Sequence, residues 1–97
     1  MKRAKALSII RERLRGKRLL HSESTALLCE RMAALLGEDA ETAYVAGLLH
    51  DIAKPLSNRE LLERTEKYRL HNDKISNMHP SLLHAPVGAA MLEKKYK

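Results

Sequence analysis

His50 and Asp51 stand side by side at the end of the apolar run Val45-Ala46-Gly47-Leu48-Leu49, where packing alone has no use for an ionisable pair. A carboxylate carried into apolar surroundings without a partner is costly or changes its protonation, so Asp51 needs a cation beside it. Two sources are open: a divalent metal, or Lys54 three residues on. In the plainer alternative, Asp51 and Lys54 form an ordinary ion pair and His50 is a satisfied buried histidine. His21 weighs toward the metal. It follows Leu20 and precedes Ser22, Ser24 and Thr25, small polar residues read here as lying outside the core and leaving space. His21, His50 and Asp51 together make a two-histidine, one-carboxylate set, which suits a divalent transition ion with positions open for water and substrate. An ion held this way lowers the pKa of bound water and polarises a phosphoryl oxygen.

Cations for an anionic substrate lie close in sequence. Arg18 precedes His21 by three residues and shares its helix face. Its guanidinium could grip a phosphate with two parallel hydrogen bonds, and Lys54 could do the same as a point charge. His84 follows Leu82-Leu83 at the edge of an apolar patch, where it could touch phosphate or support a metal ligand from outside. His79, before Pro80, and His71, in a polar stretch, are read as loop residues.

The elements that must position these residues are helical. Leu7, Ile10 and Leu14 recur at helical spacing over residues 4–15, and Gly16 interrupts that helix. A second helix is expected over residues 17–36, burying a stripe of Leu20, Leu27, Leu28, Met32, Leu35 and Leu36 and stopping at Gly37. Asp39 is positioned to cap a third, AETAYVAGLLHDIAK, which is apolar nearly all round and so expected at the centre, ending near Lys54 because Pro55 follows. Ser57 and Glu60 form a capping-box pattern that opens a fourth helix. Residues 69–79 read as a loop and residues 80–84 as one turn begun by proline. A last helix, VGAAMLEKKYK, is expected after Ala85-Pro86. The fold class is all-α, a compact bundle of about five helices.

The 97 residues suffice for one small domain, and 44% hydrophobic content marks it as globular. No apolar run approaches the ~20 residues of a membrane span, and no signal peptide is evident. A single cysteine, Cys29, fits a reducing, cytoplasmic setting and a small packed side chain. The net charge of +6 is concentrated at the ends, residues 1–18 carrying eight Lys and Arg against Glu12 alone. These charges are read as a solvated helix face. With no Phe or Trp to stack bases, nucleic acid is not the expected partner.

The stretch RLLHSESTALLCERMAALLGEDAETAYVAGLLHDIAKPL, followed by LLHAPVGAAMLEKKY, closely resembles the HD superfamily of metal-dependent phosphohydrolases, and within it the YqeK-type branch of bacterial symmetrical diadenosine tetraphosphate hydrolases. The resemblance runs from about Ala6 to Tyr96. It implies an all-helical HD domain over residues 1–97 and a divalent metal, iron or a similar ion such as manganese, on His21, His50 and Asp51. It also implies contacts from Arg18, Asp51, Lys54 and His84 to an ADP moiety, with Asp51 and Lys54 serving catalysis. The implied reaction is hydrolysis of diadenosine tetraphosphate to two ADP. Members of that family carry further motifs, one supplying an aspartate that closes the metal site, and these have no counterpart before Lys97. The expectation is therefore the N-terminal part of the family's domain, truncated at its C-terminus. Apolar surface left uncovered would then favour a homodimer.

Overall fold

The computed structural model describes residues 1–70 and 77–96. Among them are five α-helices, one short 3₁₀ turn and no strand, the all-α class read from the sequence. The elements are α1 (Arg3–Arg13), α2 (Gly16–Leu35), α3 (Ala40–Leu49), α4 (Asn58–Lys67), the 3₁₀ turn Pro80–Leu83 and α5 (His84–Lys94). The chain divides into two compact units, residues 1–52 and 53–97. No helix among the described residues is long and apolar enough to cross a membrane.

In the first unit α2 and α1 both pack on α3. Helix α1 buries Ala6, Ile9 and Ile10, with Leu14 just past its end, while Leu7 is only partly covered. Arg3 ties this unit together. Its guanidinium donates to the carboxylates of Glu30 and Glu41 and lies 3.7 Å over the Tyr44 ring. The hydrogen bond to Glu30 holds the Arg3 pKa above its ordinary value. At least this member of the basic N-terminal group is a structural tie rather than a solvated charge.

Helix α2 does not bury the stripe expected of it. Leu20, Leu27, Leu28, Met32, Leu35 and Leu36 are all more than half exposed, and the face turned to the core carries Ser22, Ala26 and Ala33. The reason lies in α3. Gly47 has no side chain, and a Cβ built there would come within 3.1 Å of the Ala26 Cα and the Thr25 carbonyl oxygen. The two backbones are too close for leucines to fit between them, so small residues occupy the seam. Ser22, read from sequence as lying outside the core, is fully buried in consequence.

Helix α2 ends as expected. Gly37 has φ +74° and the Glu38 N–H donates to the Ala33 carbonyl at 2.8 Å. Asp39 caps α3, accepting from the Glu41 and Thr42 N–H groups at 3.1 and 3.2 Å and from the Thr42 hydroxyl at 2.7 Å. The Thr42 hydroxyl, above all, holds the Asp39 carboxyl below its usual pKa. Helix α3 stops at Leu49, five residues short of Lys54. The His50 Nδ1–H donates to the Gly47 carbonyl at 2.6 Å, and that oxygen is the acceptor the Asp51 N–H would use if the helix continued. The backbone turns tighter instead, with the Ile52 N–H donating to the Leu49 carbonyl at 3.1 Å.

In the second unit α4, the 3₁₀ turn and α5 enclose a cluster of Leu61, Tyr68, Leu83, Val87, Ala90 and Met91, with Ala53. The capping box is complete: the Glu60 N–H donates to Ser57 Oγ at 3.1 Å and the Ser57 N–H to Glu60 Oε1 at 3.0 Å. The bond from the Ser57 backbone lowers the Glu60 pKa. Ser57→Ala is expected to cost about 1 kcal/mol, the usual worth of an N-cap side chain; thermal melts followed by circular dichroism measure it. Helix α5 begins at His84, so Ala85 and Pro86 sit in its first turn rather than ahead of it. Proline is tolerated there because an N–H at that position has no helical partner. His71 lies outside the described residues.

Candidate metal centre

The last turn of α3 and the first turns of α2 meet at the edge of the first unit. From α2 comes His21, and from just beyond α3 come His50 and Asp51. His50 Nε2 stands 3.0 Å from Asp51 Oδ2, and His21 Nε2 stands 3.7 Å from the same oxygen. The imidazole rings are 5.3 Å apart and inclined at 66°. One ligand atom from each of the three residues lies within 4.8 Å of the others. These are the partners the structure gives Asp51: it is the anion shared by two histidines.

The donor set fits a divalent ion. Two ligand atoms each about 2.1 Å from one ion lie no more than roughly 4.2 Å apart, so a separation limit of 4.8 Å requires only small adjustment. The Nδ1–H of His50 is committed to the Gly47 carbonyl, which leaves its Nε2 lone pair free to bind. His21 is 61% exposed and Asp51 28% exposed, so the cluster opens to solvent and has room for water and substrate oxygens. Although consecutive in sequence, His50 and Asp51 bring Nε2 and Oδ2 to within 3.0 Å of each other. In a continuing helix His50 and Asp51 would project about 100° apart.

A family model described as "HD domain" matches residues 18–97. The chain belongs to the HD domain family. Its members are all-helical, in keeping with the five helices described. Two curated relatives carry the name "bis(5'-nucleosyl)-tetraphosphatase, symmetrical". The Staphylococcus aureus protein is 33% identical over 92 residues, 95% of this chain and 47% of its own length. The Bacillus subtilis protein is 29% identical over 97 residues, 98% of this chain and 50% of its own length. The HD chain thus spans about half the length of these relatives. A shorter likeness, 45% over 60 residues, links it to ribonuclease Y of Bacillus subtilis, of which it covers 12%. No solved structure gives a match.

Of the other sequence candidates, Arg18 is exposed on α2, one turn before His21, and forms no ion pair among the described residues. Lys54 and His84 belong to the second unit. Lys54 is exposed in the turn before Pro55. His84 opens α5, where its Nδ1–H donates to the Ser81 carbonyl at 2.8 Å. Its Nε2 is enclosed without a hydrogen-bond partner among the described residues. Sequence reasoning overlooked Gly47, which sets the approach of α2 and accepts the His50 proton. Its signal was present: an isolated glycine within an apolar helix often marks a packing need.

Proposed function

We propose that this HD chain binds a divalent transition metal, iron first and manganese next, and hydrolyses diadenosine tetraphosphate symmetrically to two ADP. The observation that carries the reading is the meeting of His21, His50 and Asp51 within ligand distance of one another. Two relatives whose names specify a symmetrical tetraphosphatase supply the substrate class. We read both units as parts of one HD-type domain, because the family match runs through them.

His21 and His50 would hold the ion through Nε2 and Asp51 through a carboxylate oxygen. The ion supplies, when bound, a more acidic water and a polarised phosphoryl oxygen. The protein's own groups do the rest. Asp51 has a second carboxylate oxygen, which can accept a hydrogen bond from a water and so orient it. Arg18 binds a phosphate through its guanidinium fork, and Lys54 adds a mobile positive charge against the leaving phosphate oxygens. By the resemblance alone, His84 is a further candidate contact to the ADP moiety. Because the transferred group carries its charge on peripheral oxygens, positioning and charge neutralisation account for most of such a catalyst's effect.

The test is an anaerobic assay of the 97-residue chain with diadenosine tetraphosphate and ferrous ion, products being separated by chromatography. ADP as sole product is the expected result. AMP with ATP would refute the symmetrical reaction. Nucleotide binding without cleavage would reassign the chain as a non-catalytic HD module.

A further inference from the structure

We propose that Arg15 and Lys17 extend the phosphate contact of Arg18 into a cationic track for the rest of a polyphosphate chain, so that longer chains bind more tightly. The proposal rests on the hydrolase reading above, but it concerns residues outside the metal cluster and is tested without metal.

Arg11, Arg13, Arg15, Lys17 and Arg18 gather around the junction of α1 and α2, with Glu12 the one acid among them. They divide by their place in the helices. Arg11 and Arg13 lie in the last turn of α1, where the helix dipole favours positive charge. Arg15 is the N-cap of α2, and Lys17 and Arg18 lie in its first turn, at the positive end of a 20-residue helix. A capping oxygen and acidic side chains are the ordinary occupants of that end; here Arg15 makes no side-chain cap and the first turn holds no acid. Each cation so placed costs about 0.3–1 kcal/mol. All three are exposed, and none forms an ion pair among the described residues. Three and four residues on, Lys17 meets Leu20 and His21, and Arg18 meets His21 and Ser22, with no carboxylate among them. Folding gains nothing from this charge, whereas an anionic ligand would neutralise it.

Position selects the anion. Helical side chains lean toward the N-terminus, so His21 covers the turn that carries Lys17 and Arg18. That turn lies roughly 5–6 Å from His21 along the axis, and Arg15 roughly 9 Å. Leu14 and Arg15 are extended, so their side chains point to opposite sides; Leu14 is buried and Arg15 is turned to solvent. The track therefore begins beside the metal cluster and leads away over the N-terminal end of α2. A polyphosphate chain is narrow and charged at every phosphate. A hydrolase grips the phosphates at the cleaved bond, and the charge on the others must be met as well. Residues 11–18 include no aromatic side chain on which a base could stack, which favours a phosphate chain over a nucleic-acid strand.

The test is titration calorimetry of the metal-free chain at low ionic strength with inorganic tripolyphosphate and with orthophosphate. Tripolyphosphate is expected to bind the more tightly. Arg15→Gln and Lys17→Gln should each weaken it roughly two- to fivefold and weaken orthophosphate less. Arg31→Gln, exposed farther along α2, should change neither. In thermal melts without ligand, Arg15→Gln and Lys17→Gln should be at least as stable as wild type, because each relieves charge at the helix N-terminus. Tripolyphosphate should raise the wild-type Tm more than theirs. Equal losses for both anions, a loss as large with Arg31→Gln, or variants that melt below wild type would each overturn the proposal. So would a short single-stranded RNA that binds more tightly than tripolyphosphate through the same residues, since the track would then be a nucleic-acid interface. A chain that binds tripolyphosphate as expected yet cleaves no diadenosine tetraphosphate would overturn the hydrolase reading and leave the track in place.

Discussion

Asp51→Asn is expected to lower affinity for manganese or ferrous ion at least roughly 100-fold and to leave no measurable turnover. The expectation follows from the place of one oxygen. Asp51 Oδ2 is 3.0 Å from His50 Nε2 and 3.7 Å from His21 Nε2, and this is the only carboxylate in the cluster. Asparagine keeps the shape and loses the charge. A divalent ion would then be held by two neutral imidazoles and a neutral amide. Loss of a mere supporting hydrogen bond around a metal costs about 10–100-fold, so loss of the anionic ligand itself should cost no less. The fold should barely change, because the side chain is partly exposed and belongs to no apolar cluster. Anaerobic titration calorimetry with each ion reads the affinity, and circular dichroism confirms the helix content. If the variant binds within a few-fold of wild type, Asp51 is not a ligand and the site assignment fails. His21→Ala should give a milder loss than Asp51→Asn, because it removes a neutral donor that is well exposed.

The candidate cluster of His21, His50 and Asp51 was legible because residue types clash with their setting: an ionisable pair at the end of an apolar helix has few structural uses. The caps were readable for a similar reason, since Asp39 and the Ser57/Glu60 pair work through local hydrogen bonds that depend on spacing alone. The core face of α2 was not. Counting large apolar side chains pointed to Leu20, Leu27, Leu28 and Leu35, whereas the helix packs through Ser22, Ala26 and Ala33. Periodicity reports where an apolar stripe lies on a helix but not which neighbour covers it. That depends on how closely the other backbone approaches, and here one residue on α3 decides it. The end of α3 was misplaced on similar grounds. Pro55 is a visible stop, but the earlier stop is made by the His50 side chain at the Gly47 carbonyl, a contact no spacing rule announces.

Gly47 is therefore where fold and site meet, and Gly47→Leu is expected to be among the most damaging single changes in the first unit. A Cβ there would lie 2.9 Å from Cys29 Sγ and 3.1 Å from both the Ala26 Cα and the Thr25 carbonyl oxygen. The sulfur can turn aside, but the two backbone atoms belong to α2 and yield only if the helix moves. Gly47→Ala sets this crowding, about 1–3 kcal/mol, against the ~1 kcal/mol that alanine gains over glycine inside a helix, so a modest net loss is expected. Leucine adds three more carbons with no space to receive them, and a loss above about 3 kcal/mol follows. The effect at the site should exceed the effect on stability. His21 rides on α2 while His50 and Asp51 follow α3, so any widening of the seam separates the ligands directly. Ligand geometry must hold to within about 0.5 Å. Gly47→Ala should thus weaken metal binding clearly at temperatures where the protein is still fully folded. Adding Cys29→Ala removes the 2.9 Å contact while leaving the two backbone contacts, so it should return part of the stability and part of the metal affinity together. Recovery of stability without recovery of affinity would show that the α2–α3 spacing does not govern the site.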